Sequence, residues 1–286
     1  MTLTRTGRNT IAAVILTLLA AGVATEVATA GRLKTRSATE TVPDQQHGSA
    51  KAVCPKGTKA VSGGFKTEFF GIDLNFPFIP IEASWRTRSR GWTSSGFNDG
   101  TAEGDLTSFA YCRKQKLKRA TDAVPAPVGE FVTATATCPT GTKIVSGGFQ
   151  ASPVDTVGTT PVLYVSESRR ASKRRWEASA FSNGNEAGQL KAAAYCAKAR
   201  KPKARHATTT LDSATPSASV IARCKRRERV VSGGFGSPDD SGEATPRFLA
   251  SKRIDKRRWK VSGFYGNNGA PIQITAYAYC ERKRKR

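Results

Sequence analysis

The chain repeats itself three times. Cys54-Pro-Lys-Gly-Thr-Lys-Ala-Val-Ser-Gly-Gly-Phe65 matches Cys138-Pro-Thr-Gly-Thr-Lys-Ile-Val-Ser-Gly-Gly-Phe149. A third copy reads Cys224-Lys-Arg-Arg-Glu-Arg-Val-Val-Ser-Gly-Gly-Phe235. In every copy Ser-Gly-Gly-Phe begins eight residues after the cysteine. Trp92, Trp176 and Trp259 each precede an aromatic residue by five (Phe97, Phe181, Phe264), and the units close on Tyr111-Cys112, Tyr195-Cys196 and Tyr279-Cys280. A fixed period of this kind restricts the fold to one built from a repeated supersecondary unit.

The periodicity inside each unit is that of strands. Ile272, Ile274, Ala276, Ala278 and Cys280 alternate with Gln273, Thr275, Tyr277 and Tyr279, and the stretch from Leu190 to Cys196 does the same. Period two means β. Asp99-Gly100, Asn183-Gly184 and Asn268-Gly269 are hairpin turn signals placed between the tryptophan strand and the closing strand. The Gly-Gly pairs point to a bulge or a close backbone crossing. The sequence therefore predicts an all-β protein of three tandem small antiparallel modules, sandwich-like or prism-like, with about five strands each and no helix beyond the N-terminal segment.

The six cysteines fit the same frame. Threefold repetition selects Cys54–Cys112, Cys138–Cys196 and Cys224–Cys280 from the 15 pairings available. Zinc sites need closely spaced Cys pairs, which are absent. A unit of roughly 65 residues gains from such a staple.

Residues 1–30 read as a signal peptide. Arg5 and Arg8 precede the uncharged run Ile11–Ala24, and Ala28-Thr29-Ala30 supplies a cleavage pattern. Fourteen residues rise about 21 Å as a helix, short of a hydrocarbon core of about 30 Å. The expected mature protein is secreted or wall-associated, with no transmembrane span. The remaining borders are a linker at 31–48, repeat 1 at 49–114, a basic linker at 115–130, repeat 2 at 131–198, a basic linker at 199–217, repeat 3 at 218–282 and a basic tail at 283–286. The linker composition is polar with proline and without period. Three beads on a string is the simplest architecture, and a shared threefold prism is the alternative.

Charge sets the expected partner. The chain holds 46 Lys and Arg against 22 Asp and Glu, a net +24. One basic cluster precedes or adjoins each tryptophan: Arg86, Arg88 and Arg90; Arg169, Arg170, Lys173, Arg174 and Arg175; Lys252, Arg253, Lys256, Arg257 and Arg258. Another run follows each closing cysteine. Recurrence in three copies predicts a positive face or end on each module that attracts anionic polymers such as cell wall, polysaccharide or nucleic acid. Ser62, Ser146 and Ser232 lack a base, and the two histidines, His47 and His206, lie in linker stretches. Asp239-Asp240 and Glu243 form a small acidic loop in the third copy alone. Residues 69–81 form an apolar loop confined to the first copy and are the best candidate for a specific contact. No cofactor or metal motif is present. The function expected is that of a non-catalytic binding or cell-surface protein. An exoenzyme acting on glycans at one asymmetric site, and a structural envelope protein, are the alternatives.

The motif C-P-x-G-T-K-x-V-S-G-G-F, followed by W-x4-F, Asn-Gly and A-Y-C, resembles a repeat of secreted actinobacterial proteins of unassigned function. The resemblance covers 52–114, 136–198 and 222–282, the last with Lys225-Arg226-Arg227-Glu228 in place of Pro-x-Gly-Thr. In plan, three disulfide-linked β repeats are also similar to the vitelline-membrane outer-layer β-prism. Both resemblances imply secretion and β structure, and neither implies a catalytic residue.

Overall fold

The computed structural model describes residues 33–68, 78–152, 163–182, 186–198, 201–237, 245–265 and 271–282. These contain 18 strands and no helix, six strands per repeat. In repeat 1 they are β1 (Lys34–Val42), β2 (His47–Val53), β3 (Lys59–Thr67), β4 (Ile81–Trp85), β5 (Gly91–Phe97) and β6 (Gly104–Arg113). Repeat 2 supplies β7 (Lys118–Ala126), β8 (Phe131–Thr137), β9 (Lys143–Ser152), β10 (Leu163–Arg170), β11 (Arg175–Ser182) and β12 (Gly188–Ala197). Repeat 3 supplies β13 (Lys203–Leu211), β14 (Ser217–Arg223), β15 (Glu228–Gly236), β16 (Arg247–Arg253), β17 (Arg258–Phe264) and β18 (Ile272–Arg282).

The strands form three antiparallel six-stranded sheets, in the orders β1-β6-β3-β16-β17-β14, β2-β5-β4-β9-β12-β7 and β13-β18-β15-β10-β11-β8. Each sheet takes half its strands from one repeat and half from another. No repeat closes a core of its own. One buried cluster runs through all three sheets, with Phe65, Phe149 and Phe235 meeting edge-to-face at centroid distances of 5.6 to 6.5 Å where the sheets face one another. The architecture is a single three-sided prism, and the beads-on-a-string expectation is corrected.

The stretches read as linkers are corrected with it. Residues 31–48, 115–130 and 199–217 contain β1, β7 and β13, which pair along their full length with β6, β12 and β18. Each of the three buries its last residue completely (Val42, Ala126, Leu211) and leaves most of the rest exposed. A sheet-edge strand that contributes so little to the core carries only a faint apolar alternation, here small residues (Ala120, Val124, Ala207) interrupted by Asp122 and Arg205 on the same face, which is why it reads as linker. The structural repeat thus begins at Lys34, Lys118 and Lys203, ahead of the borders set by the cysteine motif. His47 opens β2 and lies 3.3 Å from Glu82, and His206 lies in β13 against Tyr277. Neither histidine is in a linker.

Each repeat straddles a corner of the prism, and the Ser-Gly-Gly-Phe motif has four separate duties there. Ser146 and Ser232 donate from Oγ to the carbonyls of Val61 and Val145 in the preceding repeat, each at 2.6 Å. The first glycine leaves the space in which the tryptophan ring lies: a methyl group at Gly63, Gly147 or Gly233 would overlap Trp92, Trp176 or Trp259. The second glycine permits close passage of a neighbouring strand, at the carbonyls of Ser251, Ser84 and Ser168. The phenylalanine supplies the central contact. Indole Nε1 donates to Ser84, Ser168 or Ser251 at 3.0 Å, so each buried tryptophan has its polar atom satisfied.

The disulfides join the two sheets of one repeat at its corner, Cys54–Cys112, Cys138–Cys196 and Cys224–Cys280. The first cysteine of each follows the second strand, not the first as the motif alone suggested. In copies 1 and 2 the adjoining turn is closed by Thr58 and Thr142, whose N–H groups reach Pro55 and Pro139 oxygen at 3.1 Å. In copy 3, Lys225 replaces proline and exposes an N–H. Glu228 replaces threonine and accepts that N–H at 3.0 Å, so the turn is kept by a paired exchange.

Gly147→Ala is expected to lower the thermal transition sharply, because the added methyl would overlap the buried Trp176 ring. The cost is roughly 1–3 kcal/mol or more. Gly141→Ala, at a positive-φ turn with open space around it, costs about 1 kcal/mol. Equal melting of the two variants, read by circular dichroism, would refute the packing account.

Candidate polyanion-binding end

The registers are all antiparallel and end-to-end: Lys34 faces Cys112, Arg223 faces Arg258, and Ser217 faces Phe264. Consequently the connections β2–β3, β4–β5 and β6–β7, with their counterparts in the other repeats, lie at one end of the prism. Those between β1 and β2, β3 and β4, and β5 and β6 lie at the other. Among the described residues the first set of connections carries 15 Lys or Arg and one carboxylate, Asp255. The second set carries no Lys or Arg and seven carboxylates: Asp44, Glu68, Asp99, Glu103, Glu130, Glu186 and Asp212. The charge of the described connections is sorted along the prism axis.

The carboxylates at the basic end are neutralised. Asp255 lies 2.7 Å from Arg258, Glu228 3.3 Å from Arg205, and Glu281 2.7 Å from Arg113. Local hydrogen bonds and these arginines hold Asp255 and Glu228 below the ordinary carboxylate range, over an opposing effect of burial. The positive charges, in contrast, press on one another. Burial, and then Arg170, Lys173 and Lys143, lower Lys201. Burial, and then Lys66 and Lys260, lower Lys252.

The basic residues singled out from the sequence divide into two sets. Arg86 is buried, with its guanidinium 4.7 Å from the Tyr195 ring, and Arg170 lies 4.5 Å over Tyr279. Arg90 and Arg174 donate from Nε to the carbonyls of Cys54 and Cys138 and so brace the disulfide loops. Arg169 is tied to Glu167 at 2.6 Å, Arg253 donates to the Asp255 carbonyl, and Arg258 is paired with Asp255. Lys252 lies 5.2 Å from the Phe109 ring. These side chains hold the fold together. Arg88, Lys173, Arg175, Lys256 and Arg257 make no ion pair among the described residues and stand at or beside the β4–β5, β10–β11 and β16–β17 turns. The cysteine-centred reading left Lys56, Lys225, Arg226 and Arg227 out of the clusters, although the same end gathers them. Their signal was position relative to the first cysteine, which becomes meaningful once the β2–β3 loops are known to share that end.

An aromatic seam lies beneath the basic loops. The hydroxyls of Tyr195, Tyr279 and Tyr111 accept the backbone N–H of Arg86, Arg170 and Arg253 at 2.6 to 2.7 Å. The rings meet Trp92, Trp176 and Trp259 edge-on at 5.6 to 5.7 Å. Each contact crosses from one repeat to another. The three tryptophans are fully buried, which makes them core.

Other candidates are placed as follows. Ser62, Ser146 and Ser232 are buried in the strand crossings. Cys224, Glu228 and Cys280 come together, but the sulfurs are bonded to each other and Glu228 is held by Arg205 and Lys225. Asp239, Asp240, Glu243 and residues 69–77 of the apolar loop lie outside the described residues. Ile79 and Ile81, at the close of that loop, are buried, so this part is core. The two best-formed voids among the described residues hold no more than about one water molecule each. No described helix is long and apolar enough to cross a membrane. Comparison with protein-family models and with curated proteins finds no match to this chain.

Burial raises the Tyr195 hydroxyl to about 12, with the Arg86 N–H and nearby guanidinium groups opposing, and raises Tyr111 and Tyr279 in the same direction. A phenol whose folded value lies above its unfolded value of 10 contributes stability that is complete below pH 10 and lost as pH climbs toward 12. Stability is therefore expected to fall steeply above pH 10, with phenolate absorbance appearing in step with unfolding. Phenolate absorbance complete before any loss of β signal would refute this. Tyr195→Phe should cost about 1–3 kcal/mol by orphaning the Arg86 N–H.

Proposed function

We propose that this is a secreted, non-catalytic binding protein that associates with anionic polymers through the basic end of the prism. The observation that carries the reading is the sorting of charge among the described residues: 15 basic residues and one carboxylate in the connections of one end, none and seven at the other. A uniform basic surface would serve solubility alone. A one-ended distribution, with its few carboxylates already paired, directs a polyanion to one place and raises its encounter rate there. The three repeats present their basic loops together on one body, so a polymer meets several positive clusters at once. Secretion is supported by the N-terminal leader pattern and by three disulfides, which persist in oxidising compartments.

The test is salt-dependent binding of the oxidised protein to heparin and to duplex DNA. The triple variant Arg88→Ser, Lys173→Ser, Lys256→Ser removes one unpaired cation from each repeat. On DNA it is expected to reduce the slope of log affinity against log salt by up to about 3, roughly one for each phosphate that is no longer neutralised. Glu103→Ser, Glu130→Ser, Asp212→Ser raises the net charge by the same amount at the opposite end and should leave the slope unchanged. Absence of binding at low salt, or equal and opposite shifts for the two triples, would overturn the one-ended reading.

A further inference from the structure

The three seams between repeats are built alike but are not chemically equal. At the residue that follows Ser168 in β10 and Ser251 in β16, one place before the strand ends, the fold holds a cation. Arg169 lies among Glu167, Glu177 and Tyr277, and Lys252 lies over Phe109. At the matching position of the seam between repeats 1 and 2 stands Trp85, whose ring is half-buried. The guanidinium of Arg119, from the edge strand β7, lies 4.6 Å over it. Arg86, the next residue, lies 4.7 Å from the Tyr195 ring and close enough to Arg119 for mutual repulsion. Neither arginine has a carboxylate partner among the described residues. The other three tryptophans are buried and hydrogen-bonded to serine. This seam alone therefore combines a partly exposed indole, a guanidinium stacked on it and a second unneutralised cation.

We infer that the Trp85–Arg119–Arg86 seam is a stacking subsite for single-stranded nucleic acid. This rests on the polyanion reading and adds a preference to it. An unpaired base has a flat π-face that stacks on an indole or on a guanidinium plane, and the phosphate next to it requires a cation within reach. The Arg119–Trp85 stack offers both planar surfaces, and the exposed Arg119 supplies the charge within reach of a phosphate, with the buried Arg86 adding to the local positive field. A sulfated polysaccharide satisfies that charge and gains nothing from a guanidinium plane. A duplex keeps its bases stacked on one another and out of reach.

Intrinsic tryptophan fluorescence reads the subsite directly, because Trp85 is the only tryptophan of the four that is not buried. Titration with a thymidine oligonucleotide is expected to quench the exposed component, and heparin is expected to bind with little quenching. Trp85→Lys places at this seam the residue that Lys252 already provides at another, so the variant should fold with an unchanged thermal transition. Its affinity for the oligonucleotide is expected to fall about tenfold, the scale of losing one base–aromatic stack, while heparin affinity holds or rises. The inference is overturned if the two affinities move together in the variant, or if the oligonucleotide binds the unaltered protein without quenching. If neither polymer binds the unaltered protein at low salt, the polyanion reading itself fails, a result distinct from the loss of preference alone.

Discussion

Everything in this fold depends on a flat ring lying on a strand at a residue that has no side chain. Trp92 belongs to β5 and covers Gly63 of β3, in a different sheet of the same repeat. Trp176 and Trp259 do the same for Gly147 and Gly233. The contact turns the corner between two sheets at van der Waals distance, which a side chain on either glycine would prevent. Tyr195 of the next repeat then meets the ring edge and fixes the neighbouring basic turn through the Arg86 N–H. Corner, seam and end loop are thus one mechanical unit, repeated three times.

This unit explains what the sequence revealed and what it concealed. Cysteines, tryptophans and the Ser-Gly-Gly-Phe motif are visible because each is required at a crowded position, and they predicted the repeat and the bridges, while the alternation of the closing strands predicted β structure. The edge strands β1, β7 and β13 were hidden, because a strand that buries only Val42, Ala126 or Leu211 fully has too faint a pattern to read. The exchange of strands between repeats was hidden for a different reason. Alternation fixes which face of a strand is inward, and the partner across the seam is chosen by a contact as short as Ser84 opposite Phe149. The basic clusters were legible as composition. Their division into structural braces, such as Arg90 and Arg174, and unpaired cations, such as Arg88 and Lys256, required the fold.

The charge polarity follows from topology and needs no long-range design. Six antiparallel strands per repeat place three kinds of connection at one end and two kinds, plus the β1–β2 type turn, at the other. Threefold repetition then multiplies any bias in loop composition by three. Two of the three kinds of loop at the basic end lie beside the disulfide or the Tyr–Trp seam, where arginine is useful as a brace to a carbonyl or a ring. Extra cations in these loops add to a field that is already positive, and the cost is mutual repulsion felt by residues such as Lys201.

Closure of the prism shows where symmetry ends. Repeats 1 and 2 and repeats 2 and 3 are joined by the chain, and repeats 1 and 3 are not. At the residue after the closing cysteine the three copies hold Arg113, Ala197 and Glu281. Arg113 and Glu281 meet in a two-pronged pair at 2.7 and 3.0 Å, with Arg113 only 4 % exposed, across the one seam that lacks a covalent link. Phe78 and Phe264 add an edge-on contact between the same two repeats. A charge-assisted bidentate pair has the geometric specificity to fix which repeat edges meet. Ala197 follows a cysteine whose repeat is tethered on both sides, and there the site has no such requirement.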